Sequence, residues 1–286
     1  MLLLLASTLC VRAADIAVIL PSETALTREF VSALSTYRPN DRIEVYQLDQ
    51  LTAPPQSRLI ITMGMSALTW RAAQKIETPT IATYVSRSSL NATNRTDFPA
   101  SIRILLANPS PERQLRLAKL LMPRLAHVGM LINRAHADQL PEWEDSARRL
   151  GLQLTSNTLD NDENPTRALA RLLDTSDLLM APDDPLTYNA DSLKSILLTS
   201  YSRNKVLIGP SAPYINAGSL STTFSTPEQM VLSSLTLLEQ PSHQGQLHYP
   251  ALFSVISNQQ VARSLGLPPP DDNRLRSQLA RQEVPE

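Results

Sequence analysis

Cysteine is almost absent from this chain. The single one, Cys10, sits in an N-terminal apolar run, so the remainder has no thiol for a disulfide or for nucleophilic attack. Four histidines are present, His127, His136, His243 and His248, and no two have metal-ligand spacing. The chain lacks a G-x-S-x-G elbow and the full glycine fingerprint of a dinucleotide site, so neither a metal nor a cofactor is expected. Charge of one sign is also missing: 26 Lys and Arg face 27 Asp and Glu, a net charge of -1. That balance gives no broad attraction to nucleic acid or to an anionic membrane. Fixed-period repeats and low-complexity tracts are absent. What remains is an ordinary globular composition, 42% hydrophobic and 19% charged, over 286 residues. This is enough for two lobes of roughly 100–150 residues each.

The N-terminus carries a short apolar run over residues 2–9, then Val11-Arg12-Ala13-Ala14. The run is too short to cross a bilayer, which argues against stable membrane insertion. Small residues after it read as the end of a signal peptide cleaved near Ala13 or Ala14. Bulky Leu9 before Cys10 does not fit a lipid anchor. A soluble periplasmic protein is the expectation.

From residue 17 onward, short apolar runs alternate with helical patterns. Strands are expected at 17–20, 42–47, 58–63 and 79–84, with helices at 25–35 and 66–75. A second series begins after Asn108-Pro109-Ser110-Pro111. It has helices at 112–121, 140–150, 165–173 and 192–201, and strands at 127–132, 152–158, 178–181 and 206–208. Residues 219–224 resemble a strand, and Thr226 with Gln229 makes a capping box for a helix from Pro227. A strand at 253–256 and a helix at 259–265 follow, and the last dozen residues read as a fraying tail. Strands alternating with helices at this rhythm imply an α/β fold with parallel sheets covered on both faces.

Candidate site residues fall where such strands end. Asp183 and Asp184, between Pro182 and Pro185, stand where open α/β sheets hold ligands; a rigid solvated turn or a helix cap is the other reading. Gly64-Met65-Ser66-Ala67 follows a strongly apolar strand and opens a helix, whose free N–H groups suit a small anion. Alternatively Gly64 only makes the turn and Ser66 only caps the helix. Ser22, after the first strand, has equivalent geometry. Tyr84, Tyr188 and Tyr214 lie at or past strand ends and can line a cleft or be partly buried surface residues; Asn133 ends another strand. No catalytic constellation assembles from these groups, and binding without covalent chemistry is the expectation.

The chain resembles the ABC-transporter substrate-binding-protein-like family, including its TrpX type. The resemblance rests on residues 59–67, on Ala181-Pro182-Asp183-Asp184-Pro185-Leu186-Thr187-Tyr188-Asn189, on 209–218 with Tyr214 and Ala217-Gly218, and on 257–266. It implies a type I periplasmic-binding-protein fold, two Rossmann-like lobes around a cleft that closes by a hinge. The implied division is a signal peptide at 1–14, one lobe of 15–107 with 217–246, and another of 108–216 with 247–286. Ser66 and Ala67 would then present helix N–H groups from one lobe, and Asp183 or Asp184 with Tyr214 would reach in from the other. The resemblance implies capture of a small ligand, often an amino acid, for an inner-membrane ABC permease. A periplasmic sensing subunit that reports to a membrane receptor is the alternative.

Overall fold

The computed structural model describes residues 14–93, 97–160, 163–240 and 246–283; the expected leader and Cys10 lie outside them, apart from Ala14. In chain order the strands are β1 (Ala14–Leu20), β2 (Ile43–Gln47), β3 (Ser57–Met63), β4 (Thr80–Val85), β5 (Ile102–Leu106), β6 (His127–Asn133), β7 (Gln153–Leu159), β8 (Leu178–Met180), β9 (Leu207–Ile208), β10 (Ser221–Phe224), β11 (Leu247–His248) and β12 (Ser254–Ser257). The helices are α1 (Ala25–Tyr37), α2 (Gly64–Ala73), α3 (Arg87–Ala92), α4 (Pro111–Leu121), α5 (Leu140–Arg149), α6 (Pro165–Leu173), α7 (Leu193–Ser202), α8 (Pro213–Ala217), α9 (Pro227–Glu239), α10 (Gln259–Ser264) and α11 (Asp272–Glu283).

The strands form two sheets with the same plan. The first runs β2-β1-β3-β4-β5-β11 and is parallel throughout. The second runs β7-β6-β8-β9-β10-β12, parallel except for its last pair, β10 and β12. Helices cover both faces, so the inner strands are buried in nearly every position rather than alternating: β1 is buried at every residue but Asp15, and the largely polar β10 at all but Phe224. In the first lobe Phe30 and Leu34 of α1, with Met230 and Val231 of α9, pack on Ile16, Val18 and Ile61. Leu68 and Ala72 of α2 cover the opposite face. In the second lobe Leu115 of α4 and Trp143 of α5 cover Val128 and Met130. Leu169 of α6 and Ile196 of α7 cover Leu131 and Leu179 from the other side.

The chain passes between the sheets three times, at 107–110, 225–226 and 249–253. Two of these passages are later than the expected returns at Ala217 and Leu247, because β10 pairs in the second sheet and β11 in the first. Ala14, assigned above to the leader, is the first residue of β1 and pairs with Ser57. Two of the passages are tied to each other, Ser225 Oγ donating to Leu252 O at 2.7 Å, and the other is tied to the start of α3, the Arg87 N–H donating to Asn108 Oδ1 at 2.8 Å.

The expected fraying tail is instead an ordered helix to Glu283. Leu275 and Leu279 of α11 are buried against Leu117, Phe253 and Val255. Glu283 accepts two hydrogen bonds from the Arg113 guanidinium, at 2.6 and 2.7 Å, and that guanidinium lies 4.0 Å over the Phe253 ring. Three elements not anticipated, α3, β5 and β11, complete the first lobe.

Candidate functional site

In each sheet the strand order reverses once, between β1 and β3 in the first lobe and between β6 and β8 in the second. Crevices beyond the carboxyl ends of strands at such reversals are where open α/β sheets take ligands. Most of the candidate residues lie at these two places, yet the two crevices differ.

In the first lobe the crevice is open. Ser22 and Ser66 are exposed, and Ala67 is buried against β1 and β3 as part of the core. Gly64 takes φ +79°, a left-handed conformation that starts α2 abruptly at the end of β3. The helix therefore begins two residues before Ser66. Its N-cap is Met63, which makes no side-chain hydrogen bond, so Ser66 is not the cap. Tyr84, one residue before the end of β4, has φ 55°, at a register shift between Thr83 and Val85. That conformation is an outlier for an aromatic residue and stores strain just before α3. Its ring stands edge-on to Phe30 at 5.9 Å, and its hydroxyl is buried with no partner. Burial, with a smaller contribution from Glu29, pushes the Tyr84 phenol pKa up.

In the second lobe the corresponding crevice is filled by the chain itself. Asp184 is 1% exposed. One of its oxygens accepts the Asn133 N–H at 2.6 Å; the other takes the Leu186 and Thr187 N–H groups at 3.1 and 3.2 Å and faces His136 Nδ1 at 2.8 Å. Asn133 is buried, with its own oxygen capping Ala135 at 2.9 Å. Tyr188 is buried and its hydroxyl donates to Leu131 O at 3.1 Å, while the Tyr214 hydroxyl donates to Tyr188 O at 2.6 Å. Burial pushes both phenols up, further helped by Asp184 at Tyr188 and by Asp183 and Asp184 at Tyr214. These four side chains build the lobe.

Asp183 is different. Its carboxylate crosses to the other lobe and accepts the Ser88 N–H at 2.8 Å. Around it lies a set of polar contacts that the sequence reading passed over. Asn91 Nδ2 donates to Asp138 Oδ1 at 2.6 Å, Arg87 lies 3.8 Å from Asp138 and 4.0 Å from Glu142, and the Tyr249 hydroxyl donates to Glu142 at 2.9 Å. Gln139 Nε2 holds the Asp183 backbone carbonyl at 3.0 Å. Apart from Tyr249, which follows β11, the first-lobe partners in these contacts are on α3, which Ser86 starts with a capping box to Ser89. The Ser86-Arg87-Ser88-Ser89 stretch directly after a strand was the available signal. Among the described residues no group of three His, Cys, Asp or Glu is placed to hold a metal, and no helix is long and apolar enough to cross a membrane.

Solved structures show what this arrangement is similar to. A ligand-free, open substrate-binding protein with adhesive properties from Clostridium difficile has a TM-score of 0.65 at 14% identity, covering 91% of this chain and 97% of that one. An ABC domain in complex with L-Trp from Streptococcus pneumonia has a TM-score of 0.57 at 14% identity, with 93% and 98% covered. A conserved domain protein from Vibrio cholerae gives 0.54 at 16%, with 93% and 98% covered. The fold is that of the type I periplasmic binding proteins. At these identities the likeness is one of fold, and it does not single out the TrpX type. No known family profile and no curated protein matches the chain. The type I fold accounts for the shared lobe plan, the three passages, and the meeting of the lobes at the carboxyl ends of their strands.

Proposed function

We propose that the chain is an exported solute-binding protein that captures a small molecule between its lobes. The observation that carries the reading is the polar contact line between α3 and the second lobe, Ser88 to Asp183 and Asn91 to Asp138. These contacts involve short donors on one lobe and carboxylates on the other, and only three short passages join the lobes. Such a joint swings by changing a few backbone angles. A solute that bridges the lobes shifts the balance toward the closed form by its preference for that form. The leader-like N-terminus supports a periplasmic location, and delivery to an inner-membrane ABC permease is the role of a solute captured there.

Small-angle scattering combined with a thermal-shift screen of amino acids, organic acids, nucleosides and sugars tests the reading. A solute at about 100 times its Kd adds about 2.7 kcal/mol to stability. The expected result is a saturable shift with a reduced radius of gyration, weakened in Asp183→Ala. Absence of any binding together with an invariant radius would remove the capture role.

A further inference from the structure

Helix α3 divides the space between the lobes into two parts with opposite properties. On the hinge side, Arg87, Glu142 and Asp183 line a cavity of about 20 Å³. That is room for about one water molecule. On the outer side, a groove of about 580 Å³ runs between the lobes. Its size is within the usual range for small-molecule sites. Ser88, Ser89 and Asn91 form one wall, and Ala135, Pro185 and Leu186 form the other. Among the described residues lining it there is no Lys, Arg, Asp or Glu. His136 is its one titratable side chain, and its Nδ1 is engaged by Asp184. Of these two spaces, the charged one is too small for a solute, and the larger one has no charged side chain in its lining.

A free amino acid would bring an ammonium and a carboxylate to a groove whose own lining carries no charge, and the neighbouring carboxylates, Asp138 and Asp183, are already held by Asn91 Nδ2 at 2.6 Å and the Ser88 N–H at 2.8 Å. Desolvating unpaired ions is costly, whereas a neutral hydroxyl or amide needs only to share or exchange the hydrogen bonds that Ser88 now makes to Ser86 Oγ at 3.0 Å and Asn91 to Asp138 at 2.6 Å. Leu186 is 51% exposed and offers an apolar surface beside Pro185. We infer that the groove takes an uncharged small molecule, with an apolar face on Pro185 and Leu186 and hydroxyl or amide groups toward Ser88, Ser89 and Asn91. This rests on the capture reading and departs from the amino-acid ligand that the family resemblance implies.

Methyl NMR of the leucine-labelled chain tests it, with the Leu186 signals assigned by their loss in Leu186→Met. The probes are benzyl alcohol and benzamide as neutral molecules, and benzylamine and benzoate as their ionised counterparts at pH 7. The neutral pair should move the Leu186 methyls saturably, with a Kd at least about ten-fold below that of the ionised pair. Leu186→Asp should weaken the neutral pair by about ten-fold or more, with Tm unchanged within about 2 °C. Ionised probes binding as tightly as neutral ones, or neutral probes leaving Leu186 unmoved, would overturn the inference. Scattering separates this from the capture reading: a solute that contracts the protein without touching Leu186 keeps capture and ends the uncharged-ligand assignment.

Discussion

The two lobes share a strand order and differ in how they finish it. In the first, the crevice at the strand reversal is left open, with Ser22 and Ser66 exposed beside Gly64. In the second, the same position is occupied by the Asp184 carboxylate and its backbone donors. The sixth strand differs as well: β11 is parallel and uncovered by any later helix, whereas β12 is antiparallel and lies under α11. Equal topology therefore does not imply equal roles. One lobe keeps its strand ends available, and the other uses its own side chains to make a rigid face from which Asp183 projects.

The largest test of this asymmetry is removal of α11 by ending the chain at Asp271. Losing the burial of Leu275 and Leu279 should cost about 3–6 kcal/mol, read by urea unfolding, and a loss below about 1 kcal/mol would restore the frayed-tail picture. Next is Asp184→Ala, which leaves the Asn133, Leu186 and Thr187 N–H groups and His136 without their buried acceptor. The expected cost is about 3–5 kcal/mol by the same measurement. A near-neutral result would mean that the second crevice is as open as the first.

The first lobe holds its own buried ion, Arg71, at the opposite end of the sheet. Its guanidinium is fully buried, donating to Thr78 O at 2.8 Å, Ile76 O at 3.2 Å and Thr80 Oγ1 at 2.8 Å, and burial pushes its pKa down. Arg71→Met should cost about 1.5–3 kcal/mol, with solute binding unchanged, since it tethers loops remote from the crevice. The smallest effect on stability is expected for Ser66→Ala, within about 0.5 kcal/mol. A measurable loss of solute affinity in that variant would establish that the open crevice is used, and unchanged affinity would confine binding to the α3 groove.

A pH test reaches the base of the second lobe. Burial acts to raise the Asp177 pKa but is outweighed by the N–H groups of His127 and Ala126, at 2.8 and 2.9 Å, so the net shift is downward. A lowered pKa means stability that is present above the ordinary carboxylate range and is lost as pH falls through the folded value. Asp177→Asn should flatten that part of the acid limb in a plot of unfolding free energy against pH. An unchanged limb would remove the assignment.

Much of the fold was legible because most inner parallel strands are apolar at almost every position, as in residues 58–63, and because helix starts such as Thr226-Pro227 carry their caps. The Asn164-Pro165 start of α6 is of the same kind, with Asn164 capping Thr166. The elements that escaped lack those signals. In β5 the apolar run is interrupted by Arg103, whose guanidinium reaches across to Leu237 O and Gln240 O. Helix α3 is six residues of mostly Ser, Asn and Ala, and α11 has only Leu275 and Leu279 as an apolar pair four apart. Both are held by tertiary contacts more than by propensity.

The places of the candidate residues at strand ends were legible, but their contacts were not. Strand ends identified Ser22, Gly64, Ser66, Asn133 and both aspartates. Nothing in adjacent letters says that Asp183 crosses to Ser88 while Asp184 turns back on its own lobe. Likewise, phenols at strand ends do not reveal that those of Tyr188 and Tyr214 close on carbonyls inside the lobe. Such choices depend on partners 26 to 95 residues away.

The late return of α9 to the first lobe has a consequence for the order in which the protein can mature. Met230, Val231 and Leu237 complete the apolar layer that Phe30 and Leu34 begin. During synthesis, then, the five strands made by residue 106 keep one oily face only half covered, by α1, until more than a hundred further residues have emerged. The first half therefore cannot finish its own core while the second half is still being made.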